Sequence, residues 1–218
     1  MKQFLISIFA LALLPLAAQA QTPANALTSE QAQALLAKAD PKRGAELFVA
    51  CEGCHRKDAT GRPSGAYPRL AGQHAPVLIK QMLDIRSGLR ANPKMKEYVD
   101  DHLSTPADAA DAAAYLSALP IPLDKIGLGP GSSIEAGKKL FDRDCAQCHG
   151  ASGEGNPTKF YPMVAAQHYR YLLRELHFIR DGDRGNSDPE MVKVVKPYLE
   201  DDLVAVADYM ASLPPPKK

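Results

Sequence analysis

Apolar residues recur at helical spacing in several short segments of this chain, and the alternation of apolar and polar residues that marks strands is essentially absent. One predicted helix begins at Asp40-Pro41, where an N-cap residue precedes proline at the first helical position. A second runs from about residue 75 to residue 87 and ends at Gly88, and a third covers residues 109–119. This pattern predicts an all-α fold.

The same series of helices is predicted again 94 residues later. Residues 67–90 align with residues 161–184 without a gap, and 10 of these 24 positions are identical. The second series begins at Ser132, where Glu135 completes a predicted capping box. A repeat of this length predicts two tandem domains that arose by internal duplication, not a solenoid.

The repeat also divides the chain into segments. Residues 1–20 hold a basic residue, a short apolar run and a small-residue cleavage site, which together predict a cleaved signal peptide and export to the periplasm. Thr28 and Gln31 form a candidate capping box for a short helix ahead of the first domain. The predicted segments are a signal peptide (1–20), an N-terminal extension (21–39), a first domain (40–119), a Pro/Gly-rich linker (120–131), a second domain (132–214) and a tail (215–218).

The charge balance of the chain argues against strongly anionic partners. The chain has 26 basic residues (Lys and Arg) and 25 acidic residues (Asp and Glu), and its formal net charge is +1. Basic and acidic residues are also balanced within each half of the chain. Neither half is therefore basic enough to predict binding to nucleic acid or to an anionic membrane surface.

All four cysteines fall inside two copies of one pentapeptide, C-x-x-C-H, which is the attachment motif for c-type haem. Two haem c groups are therefore expected, held through thioether bonds by Cys51, Cys54, Cys145 and Cys148, with His55 and His149 as proximal iron ligands. The alternatives are a redox-active dithiol, which normally occurs in a βαβ context, and a four-cysteine zinc site, which leaves both histidines unexplained.

The repeat selects candidates for the second axial ligand from five methionines beyond the predicted signal peptide. Met95 and Met191 both follow a proline by two positions and are predicted in a loop between the middle and final helices. They are the expected ligands, because a ligand should recur in both copies. Met82 and Met210 align with leucines and are predicted to pack in the core, and Met163 aligns with Arg69.

Bis-histidine ligation by His74 and His168 is the rival hypothesis, because these histidines also recur. Their alternative role is in capping or at the surface, where the middle helices begin. His102 and His177 align with no histidine and are expected to face solvent.

At this point the chain resembles the cytochrome c4 family, which is built from two class I cytochrome c domains. The resemblance covers about residues 41–214 and rests on the two C-x-x-C-H motifs, on the Tyr-Pro…Gln-His segments at 67–74 and 161–168, on the Ile-Arg-x-Gly pairs and on the terminal Tyr-x-x-x-Leu-Pro helices. It implies His/Met ligation of both irons, and carbonyl groups of Pro68 and Pro162 that accept a hydrogen bond from the proximal histidines.

The resemblance further implies two domains related by a pseudo-twofold axis, with haems close enough to exchange electrons. Two positions depart from the family pattern. Arg56 stands after the first motif, where the family has glycine, and Ala166 stands where the first copy has Gly72.

The function expected from the motifs and the resemblance is electron transfer, not catalysis. The chain is expected to be a monomer, free in the periplasm or peripherally attached to the membrane. It would carry electrons from a quinol-oxidising complex or a dehydrogenase to a terminal oxidase. The alternative is a dihaem subunit of an enzyme such as a flavocytochrome c sulfide dehydrogenase, with the N-terminal extension as a docking element. A third hypothesis, a peroxidase or thiosulfate dehydrogenase, requires an open iron site.

Overall fold

The computed structural model describes residues 27–216, and within this range the chain is helical, with an isolated β-bridge between Asn156 and Tyr161 as its only strand-like pairing. The all-α prediction is confirmed. The predicted signal peptide lies outside the described residues. The helices are α1 (Ser29–Leu36), α2 (Pro41–Phe48), α3 (Glu52–His55), α4 (Ala75–Arg86), α5 (Pro93–His102), α6 (Pro106–Ala118), α7 (Ile134–Leu140), α8 (Ala146–His149), α9 (Tyr169–Asp181), α10 (Pro189–Val195) and α11 (Glu200–Ser212).

Two domains of similar build follow one another. In the first domain α2 crosses α6 and α4 packs on α6, and in the second α7 crosses α11 and α9 packs on α11. The helices at each crossing are too close for a side chain, and glycine occupies the point of contact. A Cβ atom on Gly44 or Gly137 would lie 2.0 Å from a carbonyl oxygen of the facing helix. Each domain has its own apolar core, which contains Phe48 in the first and Phe141 in the second. The duplication is therefore also a duplication of packing.

The start of α2 agrees with the prediction, but the start of α7 does not. Asp40 caps α2 by accepting a hydrogen bond from the backbone N–H of Lys42 (2.9 Å). The capping box predicted at Ser132 is wrong, since α7 begins after Ser133 and has no side-chain cap. The carboxylate of Asp208, on α11, accepts hydrogen bonds from the backbone N–H groups of Gly131 and Ser133 instead.

The region between the middle and final helices was predicted to be a loop, and this prediction is also wrong. Both candidate methionines are the third residue of a helix, α5 or α10. Asn92 caps α5 by accepting from the backbone N–H of Met95 (3.2 Å), and Asp188 caps α10 by accepting from that of Glu190 (2.8 Å). The signal was present, because Asn or Asp before proline marks a helix start as clearly here as at Asp40-Pro41.

The chain between the two domains lies against both of them. Lys125 forms an ion pair with Asp58 of the first domain (2.5 Å). The N–H of Gly127 donates to Nδ1 of His168 (3.0 Å), and its carbonyl accepts from the N–H of Tyr169 (2.8 Å). No helix in residues 27–216 has the length and apolar character needed to cross a bilayer.

Helix α1, in the N-terminal extension, is part of the first domain. Its predicted capping box is present, since Thr28 and Gln31 each accept a hydrogen bond from the other's backbone N–H. Gln31 is buried, and its side-chain amide donates to Oδ1 of Asp84 (2.7 Å), while Ala34 enters the apolar core. The inner face of α1 is thus covered by α4 and α6, and the expected docking role could use only its outer face.

We predict that Gln31→Ala lowers the free energy of unfolding by about 1–3 kcal/mol, because the mutation leaves part of the buried Asp84 carboxylate without its partner. Thermal or denaturant unfolding measures the change. Gln33→Ala is the matched control, since Gln33 is exposed on the same helix and bonds only to Ser29. Equal stability of the two variants would show that the bond between Gln31 and Asp84 does not stabilise the fold.

Candidate haem-binding sites

The two C-x-x-C-H motifs line one continuous cavity between the domains. Each motif ends in a single-turn helix, α3 or α8. A 3₁₀ turn at 49–51 precedes α3, and a wider π-helical turn at 141–145 precedes α8. The cavity has a volume of about 1230 Å³, larger than the ~300–1,000 Å³ of an ordinary small-molecule site. Its wall includes all four cysteines, both motif histidines, Met95 and Met191.

Both motif histidines are buried and held by a backbone carbonyl. Nδ1 of His55 lies 3.2 Å from the carbonyl oxygen of Pro68, and Nδ1 of His149 lies 2.9 Å from that of Pro162. Because a carbonyl can only accept, Nδ1 carries the hydrogen in each ring and Nε2 keeps its lone pair. Burial lowers the pKa of both histidines, which favours this neutral form. Each imidazole is thus prepared to ligate a metal through Nε2.

All five methionines line the cavity, but they differ in burial and in neighbours. Met95 and Met191 are half-buried on the cavity wall, each beside the core of its own domain. Met82 and Met210 are members of the two cores, as predicted. The sulfur of Met163 lies 3.8 Å from the guanidinium of Arg69, across the domain interface.

His74 and His168 do not line the cavity, and each contacts the opposite domain. Nε2 of His74 lies 2.6 Å from the carbonyl oxygen of Glu154, and Nε2 of His168 lies 2.7 Å from that of Thr60. Both ring nitrogens of His168 are occupied, and its side chain is fully buried. The geometry therefore supports neither bis-histidine ligation nor the surface role. Of the two unpaired histidines, His102 is exposed, but His177 is half-buried beside Glu200 (3.2 Å).

The zinc and dithiol alternatives also find no support in the geometry. Burial raises the pKa of Cys51 to about 11 and that of Cys145 to about 12, whereas a reactive dithiol requires a lowered pKa. In the part of the chain that the structure describes, no three His, Cys, Asp or Glu side chains converge on a point where they could hold a metal ion. The two cysteine pairs belong to separate domains.

Comparison with known proteins gives the same assignment for both halves of the chain. The sequence model of cytochrome c matches residues 41–120 and again residues 134–214. The chain belongs to the cytochrome c family. Two copies of this domain, each with its own cysteine pair, indicate two covalently bound haem c groups, and the protein is a dihaem cytochrome c electron carrier of the cytochrome c4 family.

Individual relatives support this placement. The "Thiosulfate dehydrogenase electron acceptor" of Stutzerimonas stutzeri is 34% identical over 175 residues, covering 76% of this chain and 79% of the relative. Cytochrome c4 of Azotobacter vinelandii is 29% identical over 195 residues, covering 81% and 90%. Reduced cytochrome c4 from Pseudomonas stutzeri has a TM-score of 0.71 at 28% identity, covering 80% of this chain and 99% of that one.

A second solved structure extends the comparison to an enzyme complex. Thiosulfate dehydrogenase TsdBA from Marichromatium purpuratum has a TM-score of 0.70 at 30% identity, and the alignment covers 80% of this chain but only 40% of that one. A segment of similar fold and size therefore exists inside a longer chain.

In this cytochrome the donor set fits haem c. Each half of the cavity offers two thiols, a neutral imidazole with a free lone pair and a thioether. Much of the remaining wall is apolar, as a porphyrin requires, and includes Leu78, Ile85, Leu172 and Ile179.

Sequence reasoning missed the buried charged cluster between the domains. Arg90 and Arg184 each donate to the carboxylate of Glu175, at 2.8 and 2.9 Å. Burial alone would raise the pKa of Glu175, but the two guanidinium groups lower it, so the carboxylate remains ionised. Gln81 accepts from both arginines. The signal was in the repeat, since Arg90 and Arg184 are one of the ten identical pairs.

Gly61 and Gly155 form a second feature that the repeat shows only as an identity. Gly61 has φ +73°, and a Cβ atom there would lie 2.4 Å from the carbonyl group of Pro68. Gly155 lies in the same way against Pro162. A side chain at either position would displace the carbonyl that holds the proximal histidine.

We predict that Gly61→Ala destabilises the first domain by more than the ~1–2 kcal/mol that positive φ costs a non-glycine residue, because the steric clash adds to the strain. Unfolding of the holoprotein, followed by haem absorbance, measures the loss. Gly88→Ala is the matched control, since Gly88 also has positive φ (+81°), but a Cβ atom added there would have no neighbour within 4 Å. If both variants lose the same stability, the carbonyl contact is unimportant.

Proposed function

We propose that this dihaem cytochrome is a carrier of single electrons and not itself a catalyst. His55 and Met95 would hold the first iron, and His149 and Met191 the second. The observation that carries the proposal is that both domains place a carbonyl-bound imidazole and a half-buried methionine on the wall of the same cavity. The covalently held haems supply the one-electron couple.

Each protein group has a definite part in this function. The thioether of Met95 or Met191 would complete the ligand set of each iron and raise its reduction potential, and the carbonyl-bound Nδ1–H would fix the plane and the basicity of the imidazole. The apolar wall would exclude water and so lower the reorganisation energy when the charge of the iron changes. A peroxidase or dehydrogenase activity of the chain itself would need an open iron, and both domains offer a methionine.

The electron donor that we favour is a thiosulfate dehydrogenase. The support is the relative described as the electron acceptor of such an enzyme, which is 34% identical over 76% of this chain, together with the structural similarity to part of thiosulfate dehydrogenase TsdBA. We propose that the protein works in the periplasm as a monomer and passes electrons on to a terminal oxidase. A quinol-oxidising complex is the second candidate donor, as the resemblance to the cytochrome c4 family implies.

We predict that Met95→Ala and Met191→Ala each remove about half of the methionine–iron charge-transfer band, which lies near the red edge of the visible spectrum of the oxidised protein. The band reports thioether ligation, so each variant should also acquire one high-spin haem. Met82→Leu is the control, because Met82 packs in the core and its replacement conserves volume. An undiminished band in either alanine variant would remove that methionine from the ligand set.

We predict that thiosulfate reduces both haems when a catalytic amount of a thiosulfate dehydrogenase is present, and reduces neither when the cytochrome is alone. Stopped-flow absorbance of the haems measures the rate. Reduction by thiosulfate alone would show that the chain is itself the enzyme. Reduction by a quinol-oxidising complex, with none by the dehydrogenase, would show that the second candidate is the donor.

A further inference from the structure

A glutamine of each domain binds the main chain of the other domain, next to the proline that holds the proximal histidine. The side-chain oxygen of Gln167 accepts from the N–H of Arg69 (2.9 Å), and its nitrogen donates to the carbonyl of Arg69 (3.0 Å). Gln73 makes the same two bonds with Met163 (2.9 Å each). All four residues are buried. Because Arg69 and Met163 directly follow Pro68 and Pro162, each glutamine fixes the segment that carries the histidine's acceptor.

The histidine that follows each glutamine, His168 or His74, also binds the main chain of the other domain. His168 donates to the carbonyl of the Thr60–Gly61 peptide, whose N–H donates to the main-chain carbonyl of His55 (2.9 Å). In the same way, His74 donates to the carbonyl of the Glu154–Gly155 peptide, and Gly155 donates to the carbonyl of His149 (2.7 Å). Each peptide therefore links a histidine of one domain to the proximal histidine of the other.

In each domain the glutamine and the histidine are adjacent in sequence, and a hydrogen bond between them orients the glutamine side chain. The side-chain oxygen of Gln167 also accepts from the backbone N–H of His168 (3.0 Å), and that of Gln73 accepts from the N–H of His74 (3.0 Å). The side-chain oxygen of each glutamine thus accepts two hydrogen bonds, and Nδ1 of His168 accepts a further one from Gly127. The protein alone holds each pair in place, because every polar atom named here has its partner within the chain.

We propose that the Gln–His pair of each domain positions the proximal histidine of the other domain, so that Gln167 and His168 tune the first haem, and Gln73 and His74 tune the second. This inference rests on the proposed ligation of the two irons, by His55 with Met95 and by His149 with Met191. It makes these four side chains positioning residues for electron transfer. The two haem sites are then reciprocal, since each is completed by the domain that holds the other.

The expected sign of the effect follows from the hydrogen bond at Nδ1. A well-placed acceptor makes the imidazole a stronger electron donor and stabilises the oxidised iron. Releasing Arg69 from Gln167 lets the carbonyl of Pro68 move away from His55, which weakens that donation. The reduction potential of the first haem should therefore rise, while that of the second changes little.

The test is an optical redox titration of full-length holoprotein carrying Gln167→Ala or Gln73→Ala. Each titration is repeated in a double variant that also carries Met191→His or Met95→His. The added histidine lowers the reduction potential of the haem in its own domain, so the step that does not move belongs to the other haem. We expect Gln167→Ala to shift the equilibrium of the first haem towards the reduced form by up to about tenfold, or about 59 mV for one electron. We expect Gln73→Ala to shift the second haem in the same direction.

Two further variants keep the test decisive. Gln81→Ala is the matched control, because Gln81 also makes hydrogen bonds across the interface, to Arg184 (3.0 Å) and Asn186 (3.2 Å), but none to a proximal segment. It should give no shift confined to one haem. If Gln167→Ala does not yield holoprotein, Gln167→Asn replaces it, since the shorter amide cannot keep both bonds to Arg69.

The outcomes separate the inference from the function on which it rests. Faster solvent exchange of the Nδ1 proton of His55, and not of His149, in reduced Gln167→Ala would support the inference by a second measurement. A shift confined to the second haem, equal shifts of both haems, or no shift would overturn it. Failure of the proposed ligation would appear separately, as a missing thioether band in the wild-type protein.

Discussion

In each domain one hydrogen bond, from Nδ1 of the C-x-x-C-H histidine to a proline carbonyl, holds the imidazole beside the two cysteines that attach the haem. Several otherwise unrelated features serve this bond. Gly61 and Gly155 allow the carbonyl segment to pass close to the turn after the motif. Burial keeps both imidazoles neutral. The interface then fixes the residue that follows each proline. The rigidity that an electron carrier needs is concentrated at these carbonyls.

Buried polar groups at the interface between the domains have hydrogen-bond or ion-pair partners in the opposite domain. Side-chain amides, imidazoles and guanidinium groups bind main-chain carbonyls, and the ionised Glu175 lies between Arg90 and Arg184. Removing one partner of these contacts by mutation, with the domains still packed together, leaves a buried group unsatisfied at a cost of about 1–3 kcal/mol for a neutral group. The two haem domains therefore form a single unit, and a change at one site has a structural route to the other.

The copies differ where the first carries a larger or more strained residue. Arg56 adopts φ 65° and ψ 157°, a region nearly restricted to glycine, and Gly150 occupies it in the second domain. Arg69 is buried with its guanidinium bonded to the carbonyls of Ala165 and Ala166, and burial lowers its pKa to about 10. Its counterpart, Met163, is neutral. A buried cation disfavours further positive charge nearby, and the second domain contributes no such cation at the equivalent position.

The sequence alone determined the fold class, the duplication, the two haem attachment motifs and the choice of Met95 and Met191 as candidates, because these depend on local spacing repeated at a fixed interval. Apart from α5 and α10, whose start signals are local and were overlooked, it failed where a partner lies far along the chain. The start of α7 depends on Asp208, and α1 is held by a carboxylate on α4. The roles of the Gln–His pairs were decided only by the tertiary structure, because their partners lie 80 to 108 residues away, in the other domain.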